Sequence, residues 1–167
     1  MSGDLQHLDA ETRAAGHQGE LRLWLRLLTC TTLIEGEIRS RLREKFDVTL
    51  PRFDLMAQLE KSPEGMTLGA LSRRMMVSNG NLTGLVERLA EQGLVDRVPH
   101  PTDRRAAYVR LTPAGRTAFA AMASSHGDWI AELFNDLDEA DTAALMRLLG
   151  RLKRSVRAVT APVEPAS

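Results

Sequence analysis

The 167 residues are 43% hydrophobic and 26% charged, with 22 basic side chains balancing 22 acidic ones; this fits one globular domain and excludes a disordered or fibrous chain. No stretch approaches the roughly 18 uninterrupted apolar residues of a membrane span, and residues 1–20 are too polar for a signal peptide, so a cytoplasmic protein without a membrane partner is expected. The single Cys30 excludes an internal disulfide, and His7, His17, His100 and His126 lack metal-ligand spacing, so neither a metal nor another cofactor is expected.

Residues 1–19 are polar and carry Gly3, Gly16 and Gly19, which predicts a loosely ordered arm. From Glu20 to Phe46, Leu21, Trp24, Leu25, Leu28, Ile34, Ile38 and Leu42 recur at three-and-four spacing, the pattern of an amphipathic helix too long for one small core to cover. Pro51 suits the first position of a shorter helix with Phe53, Met56 and Leu59 inward, stopped around Ser62-Pro63-Glu64-Gly65. Thr67 is placed to cap a short helix carrying Leu68, Leu71 and Met75. Ser78 is the next cap, and Leu82, Leu85, Val86 and Leu89 hold the helical pattern to Gly93, which suits a left-handed helix end. Two helices about three residues apart make a helix-turn-helix. Leu94 to Pro99 and Ala106 to Leu111 are strand-like and flank a turn holding Asp103, Arg104 and Arg105. Thr112-Pro113 then starts a helix with Phe119, Met122, Trp129, Ile130, Leu133 and Phe134 on it. Asp138 begins the last helix, apolar at Leu145, Leu148, Leu149 and Leu152 and basic at Arg147, Arg151, Lys153, Arg154 and Arg157, before a flexible tail over 159–167. The predicted fold is mainly α with a small β-hairpin wing: four helices, a strand–wing–strand hairpin and two further helices, a winged helix-turn-helix.

Charge is neutral overall but uneven. Between Thr67 and Arg116 stand Arg73, Arg74, Arg88, Arg97, Arg104, Arg105, Arg110 and Arg116 against Glu87, Glu91, Asp96 and Asp103. A helix over Ser78 to Gln92 fits a DNA major groove, with Gly80, Thr83, Gly84, Glu87 and Arg88 outward and Asn81 at the flank. Asn pairs with adenine and Arg with guanine, each pairing worth about 1–3 kcal/mol of discrimination. Arg73 or Arg74 would hold phosphates, and the turn arginines would enter the adjacent minor groove, where the potential is most negative. Asp103 would brace one of them by a charge-assisted bond.

With these residues in place the sequence resembles the MarR family of bacterial transcriptional regulators, over roughly residues 20–158. Asp103, Arg105, Leu111, Thr112 and Gly115 match its wing motif, and Leu89-Ala90-Glu91-Gln92-Gly93-Leu94-Val95 nearly matches the end of its recognition helix. Gly80 and Gly84 depart from the hydroxyl residue and arginine of many relatives, which shifts the expected DNA-binding set to Arg73, Arg74, Ser78, Asn79, Asn81, Thr83, Arg88, Asp103, Arg104 and Arg105. The resemblance implies a homodimer built on helices at 20–48 and 113–158 around a DNA-binding lobe at 49–112, bound to a pseudo-palindromic operator of double-stranded DNA. It also implies a repressor released by a small effector. The first helix resembles that of members controlling hydroxycinnamate or other aromatic-acid catabolism, where the effector is the acid or its coenzyme A thioester. Trp24, Arg26, Arg52, Phe53, His126 and Trp129 are the candidate ligand residues.

Plainer roles compete for the same residues. Charged hairpin tips are common, Asn79 and Asn81 suit helix capping, and Trp24 and Trp129 suit packing. The arginines of the last helix fit solvation, and Cys30 is expected as a buried inert thiol rather than a redox sensor. No phosphate loop, nucleophile elbow or paired carboxylates mark an enzyme. The alternatives are a winged-helix protein-interaction module and a cysteine-based redox-sensing regulator of the same family.

Overall fold

The computed structural model describes residues 18–99 and 107–160; the wing tip and both chain ends lie outside the described residues. The helices are α1 (Gln18–Phe46), α2 (Leu50–Glu60), α3 (Leu68–Met75), α4 (Asn79–Glu91), α5 (Pro113–Leu133) and α6 (Glu139–Thr160), and the strands are β1 (Met66–Thr67), β2 (Val95–Pro99) and β3 (Ala107–Leu111). The predicted mainly helical winged fold is the one observed. Two compact units part at Gly127.

In the first unit the core is assembled from one face of each element. Leu55, Met56 and Leu59 of α2, Leu71 of α3, and Leu82, Val86 and Leu89 of α4 are buried, and Val95, Val109 and Leu111 add the inner face of the sheet. Of α1, only Ile38 and Leu42 in its C-terminal half are buried, so the long apolar stripe is used at one end alone. In the second unit, α6 has no buried residue.

The sheet has three strands in the order β1-β3-β2, all antiparallel, rather than the two of a simple hairpin. The third strand is the short segment before α3, with Met66 opposite Val109 and Thr67 opposite Tyr108. Two residues are too few to show an alternating pattern, and Thr67 also caps α3 by accepting from the Ala70 amide at 3.2 Å, so its sequence signal is that of a cap. Gly65 makes the approach possible: with φ 96°, a side chain there would meet the Val109 carbonyl at 2.8 Å.

Local chemistry ends the helices where they must turn. Asp47 (φ 53°) and Met76 (φ 55°) take left-handed conformations just past α1 and α3, and Gly93 (φ 70°) does the same past α4. Asp138 caps α6 through the Asp141 amide at 2.7 Å. One expectation fails outright: Cys30 is exposed, not buried, because it lies in the N-terminal half of α1, where this chain supplies little cover.

Candidate nucleic-acid interface

Helix α4 is held by its apolar face and shows the opposite face to solvent. Ser78 and Thr83 both turn their hydroxyls back onto the helix: Ser78 accepts from the Asn81 amide at 3.4 Å, and Thr83 donates to the Asn79 carbonyl at 2.8 Å. Asn79, Asn81, Glu87 and Arg88 remain exposed, with Thr83 and Gly84 half-buried beside them. Among the described residues of this face, Asn79, Asn81, Glu87 and Arg88 keep their polar ends uncommitted, the asparagines and the arginine suiting adenine and guanine edges. At Gly80 and Gly84 an added methyl would meet nothing within 4 Å, and neither has a positive φ, so the fold itself does not call for glycine at either position. Glycine inside a helix costs about 1 kcal/mol relative to alanine, and what these two provide is a low surface along the exposed ridge that leads to Arg88.

Arg73 and Arg74 are exposed on the last turn of α3, immediately before the turn into α4. That turn is tied by the Ser72 hydroxyl, which donates to the Val77 carbonyl at 2.7 Å. Pro99 opposite Ala107 is the outermost described rung of the wing; Asp103, Arg104 and Arg105 lie beyond it, outside the described residues. Lower in the wing, Arg110 forks onto the directly opposed Asp96, with Nε at 2.9 Å and Nη2 at 3.2 Å from its carboxylate oxygens. Hydrogen bonding and charge from Asp96 raise the Arg110 pKa further. Of the arginines in the basic stretch, this one is already answered by an acid. The pairing is legible only once the strand register is known, because the two residues are fourteen apart in sequence.

Two of the candidate ligand residues, Phe53 and His126, are in ring contact. Phe53 is buried and tilts against His126, ring centroids 5.0 Å apart, and against Phe119 at 5.5 Å, a residue that the sequence places on its helix without indicating this partner. Next to it, Arg52 turns away to donate to the Gln92 side chain at 3.1 Å, past the end of α4. Its Nε is buried without a hydrogen-bond partner. Asp54, although it keeps solvent contact, has its pKa raised by partial loss of hydration and by the Glu35 carboxylate, with His126 pulling the other way. Trp24 is 57% exposed and Arg26 is exposed, both far along α1 from its buried end. Trp129 belongs to the second unit.

Among the described residues, no helix is long and apolar enough to cross a membrane, and no three acidic, histidine or cysteine side chains are grouped as a metal would need. A model of the MarR family matches residues 46–106, the stretch from the end of α1 to the residue before β3. The chain is 30% identical over 154 residues to the transcriptional activatory protein BadR of Rhodopseudomonas palustris, covering 87% of each. A MarR family transcriptional regulator from Silicibacter pomeroyi has a similar structure, with 32% identity, a TM-score of 0.71, and 86% of this chain and 99% of that one covered. A mutant MarR from E. coli in complex with operator DNA shares the fold, with a TM-score of 0.71 over 83% of this chain and 99% of that one at 24% identity. This chain belongs to the MarR family of winged-helix transcriptional regulators, which are DNA-binding proteins and not enzymes.

Proposed function

We propose that two copies of this regulator read an inverted-repeat operator, α4 of each entering a major groove and each wing reaching the neighbouring minor groove. The observation that carries this reading is the outer face of α4, where exposed Asn79, Asn81 and Arg88 flank a glycine ridge that has no internal purpose, beside exposed Arg73 and Arg74. In this reading Ser78 and Thr83 shape the reading helix, Arg73 and Arg74 hold phosphates, and Asp103 braces Arg104 and Arg105 at the wing tip. Pairing of copies is supported by the apolar side chains this chain leaves exposed on α1 and α6, among them Leu21, Trp24, Leu28, Leu145, Leu149 and Leu152. Selecting the preferred duplex from a random-sequence pool tests the reading: an inverted repeat with half-sites about 10 base pairs apart is expected, and enrichment of a single asymmetric site would refute it.

An aromatic acid or its coenzyme A thioester is the proposed effector, held near Phe53 and His126, two candidate ligand residues whose rings touch. A ligand specific for the folded state raises the melting temperature as its concentration rises above its dissociation constant. A thermal-stability screen against aromatic acids and their thioesters is expected to give a concentration-dependent rise for one chemical class, abolished in Phe53→Ala and in His126→Ala. Repression relieved by the effector is the proposed sign of control. The similarity to an activatory protein supports the opposite sign. A reporter placed behind the selected operator, with and without the regulator, decides between them.

A further inference from the structure

We propose that Thr112 is a positioning residue that clasps the exit of the reading helix α4 to the start of α5 and so sets how far apart the two reading helices of a dimer stand. The proposal rests on the dimeric reading above. One hydroxyl does two jobs at this junction. It accepts from the Gly115 amide at 3.0 Å, capping α5, and it donates to the Gly93 carbonyl at 2.7 Å, the residue whose left-handed turn ends α4. The backbone follows the same route, with the Thr112 amide donating to the Leu94 carbonyl at 3.1 Å. Meanwhile the α4 end is closed on itself by the Gly93 amide on the Ala90 carbonyl and the Leu94 amide on the Leu89 carbonyl, each at 2.9 Å.

The two chain segments also touch where no side chain could stand between them. Gly115 is buried in the first turn of α5, and a methyl there would collide with the Leu94 carbonyl oxygen. The junction therefore has no slack: α5 cannot turn at its start without moving Leu94, and Leu94 follows Gly93 directly. Apart from the bond from Arg52 of α2 to Gln92 at its C-cap, α4 is seated elsewhere by apolar packing, which is non-directional and tolerates small rotations better than a hydrogen bond does. The directional restraint between α4 and α5 lies at Thr112. In a two-fold dimer built on the terminal helices, an error in this angle is doubled at the DNA, because both reading helices move.

The test separates the cap from the clasp. Thr112→Asp keeps a good capping acceptor for the Gly115 amide but has no proton to donate to the Gly93 carbonyl. Thr112→Ser keeps both. Binding is measured to the duplex selected by the native protein and to versions with one base pair added to or removed from the spacer, with melting temperature and oligomeric state recorded for each variant. The native protein and Thr112→Ser are expected to discriminate sharply against the altered spacers. Thr112→Asp is expected to bind the native spacing roughly tenfold more weakly and to prefer it far less, while remaining a folded dimer. If Thr112→Asp does not fold, Thr112→Val, which has Thr's shape but loses the cap and the clasp together, is measured instead, and a folded dimer of it that keeps the native spacing preference overturns the proposal equally. A spacing preference as sharp in the variant as in the native protein overturns the proposal. A native protein indifferent to spacing overturns the dimeric reading and the proposal with it, and that outcome is visible before any variant is made.

Discussion

Helix α2 and helix α6 illustrate two ways for an amphipathic sequence to behave. The eleven residues of α2 bury four side chains, Phe53, Leu55, Met56 and Leu59, whereas α6 is twice as long and buries none. Both have an apolar face, but α2 finds its cover inside the chain and α6 does not. The same division runs along α1, buried at Ile38 and Leu42 and open from Leu21 to Leu33. Exposed apolar area on this scale is costly in water and is the kind of surface that serves as an interaction site in other proteins. The winged lobe is therefore expected to respond to substitution through folding, and the terminal helices through assembly.

The largest effect is expected from charging the open surface. Leu149→Glu combined with Leu152→Glu is expected to leave a folded winged lobe but a monomer by sedimentation, with operator affinity down roughly a hundredfold or more because the second half-site is no longer engaged. A dimer of unchanged affinity would mean that these leucines are not the covered face. In the lobe the opposite holds. Leu71→Ala, at a fully buried position, is expected to cost about 2–5 kcal/mol in denaturant unfolding without changing the oligomeric state of the folded protein.

How much of this is legible in the sequence follows the same line. Segments whose apolar period is satisfied within the chain, such as Leu82, Val86 and Leu89 of α4, show their inward face directly in the spacing. Both hydroxyl caps at Thr67 and Ser78 are legible too, because a cap is a local event. The features that escape the sequence are non-local. Strand β1 exists only because Gly65 lets Met66 and Thr67 lie against β3, some forty residues later in the chain. The Asp96–Arg110 pair, the packing of Phe53 on Phe119 and the turn of Arg52 toward Gln92 depend likewise on register and on tertiary structure. Cys30 departs from expectation because an apolar neighbourhood in sequence predicts burial only where the same chain supplies the cover.

Smaller effects are expected on the proposed DNA-reading face. Arg105→Ala is expected to weaken operator binding by about 1–3 kcal/mol in a titration and to leave the dimer intact; unchanged affinity would remove the wing from the interface. Gly84→Ala should move stability and binding in opposite directions. The folded state gains about 1 kcal/mol from better helix propensity, since the added methyl meets nothing in the chain, while operator affinity falls several-fold as that methyl meets the groove. A variant that gains stability and keeps its affinity would show that the ridge does not face DNA. The smallest effect is electrostatic. Because the folded state raises the Asp54 pKa, it favours the protonated carboxyl, and that contribution to stability is present at acid pH and lost as pH rises through the folded pKa. Asp54→Asn should therefore raise the melting temperature at neutral pH, with the gain vanishing below the ordinary carboxylate range.

Operator affinity across a salt series measures directly how many phosphates the proposed DNA-reading face neutralises. Neutralising phosphates with arginines releases counterions, and log K falls with log salt by about 0.9 for each phosphate engaged. Two lobes, each offering Arg73, Arg74, Arg104 and Arg105, predict a slope of up to roughly −7, made shallower by about two for each phosphate-binding arginine replaced by alanine, since the replacement is present in both copies. A response to salt that is nearly flat would contradict the assignment of this face to DNA.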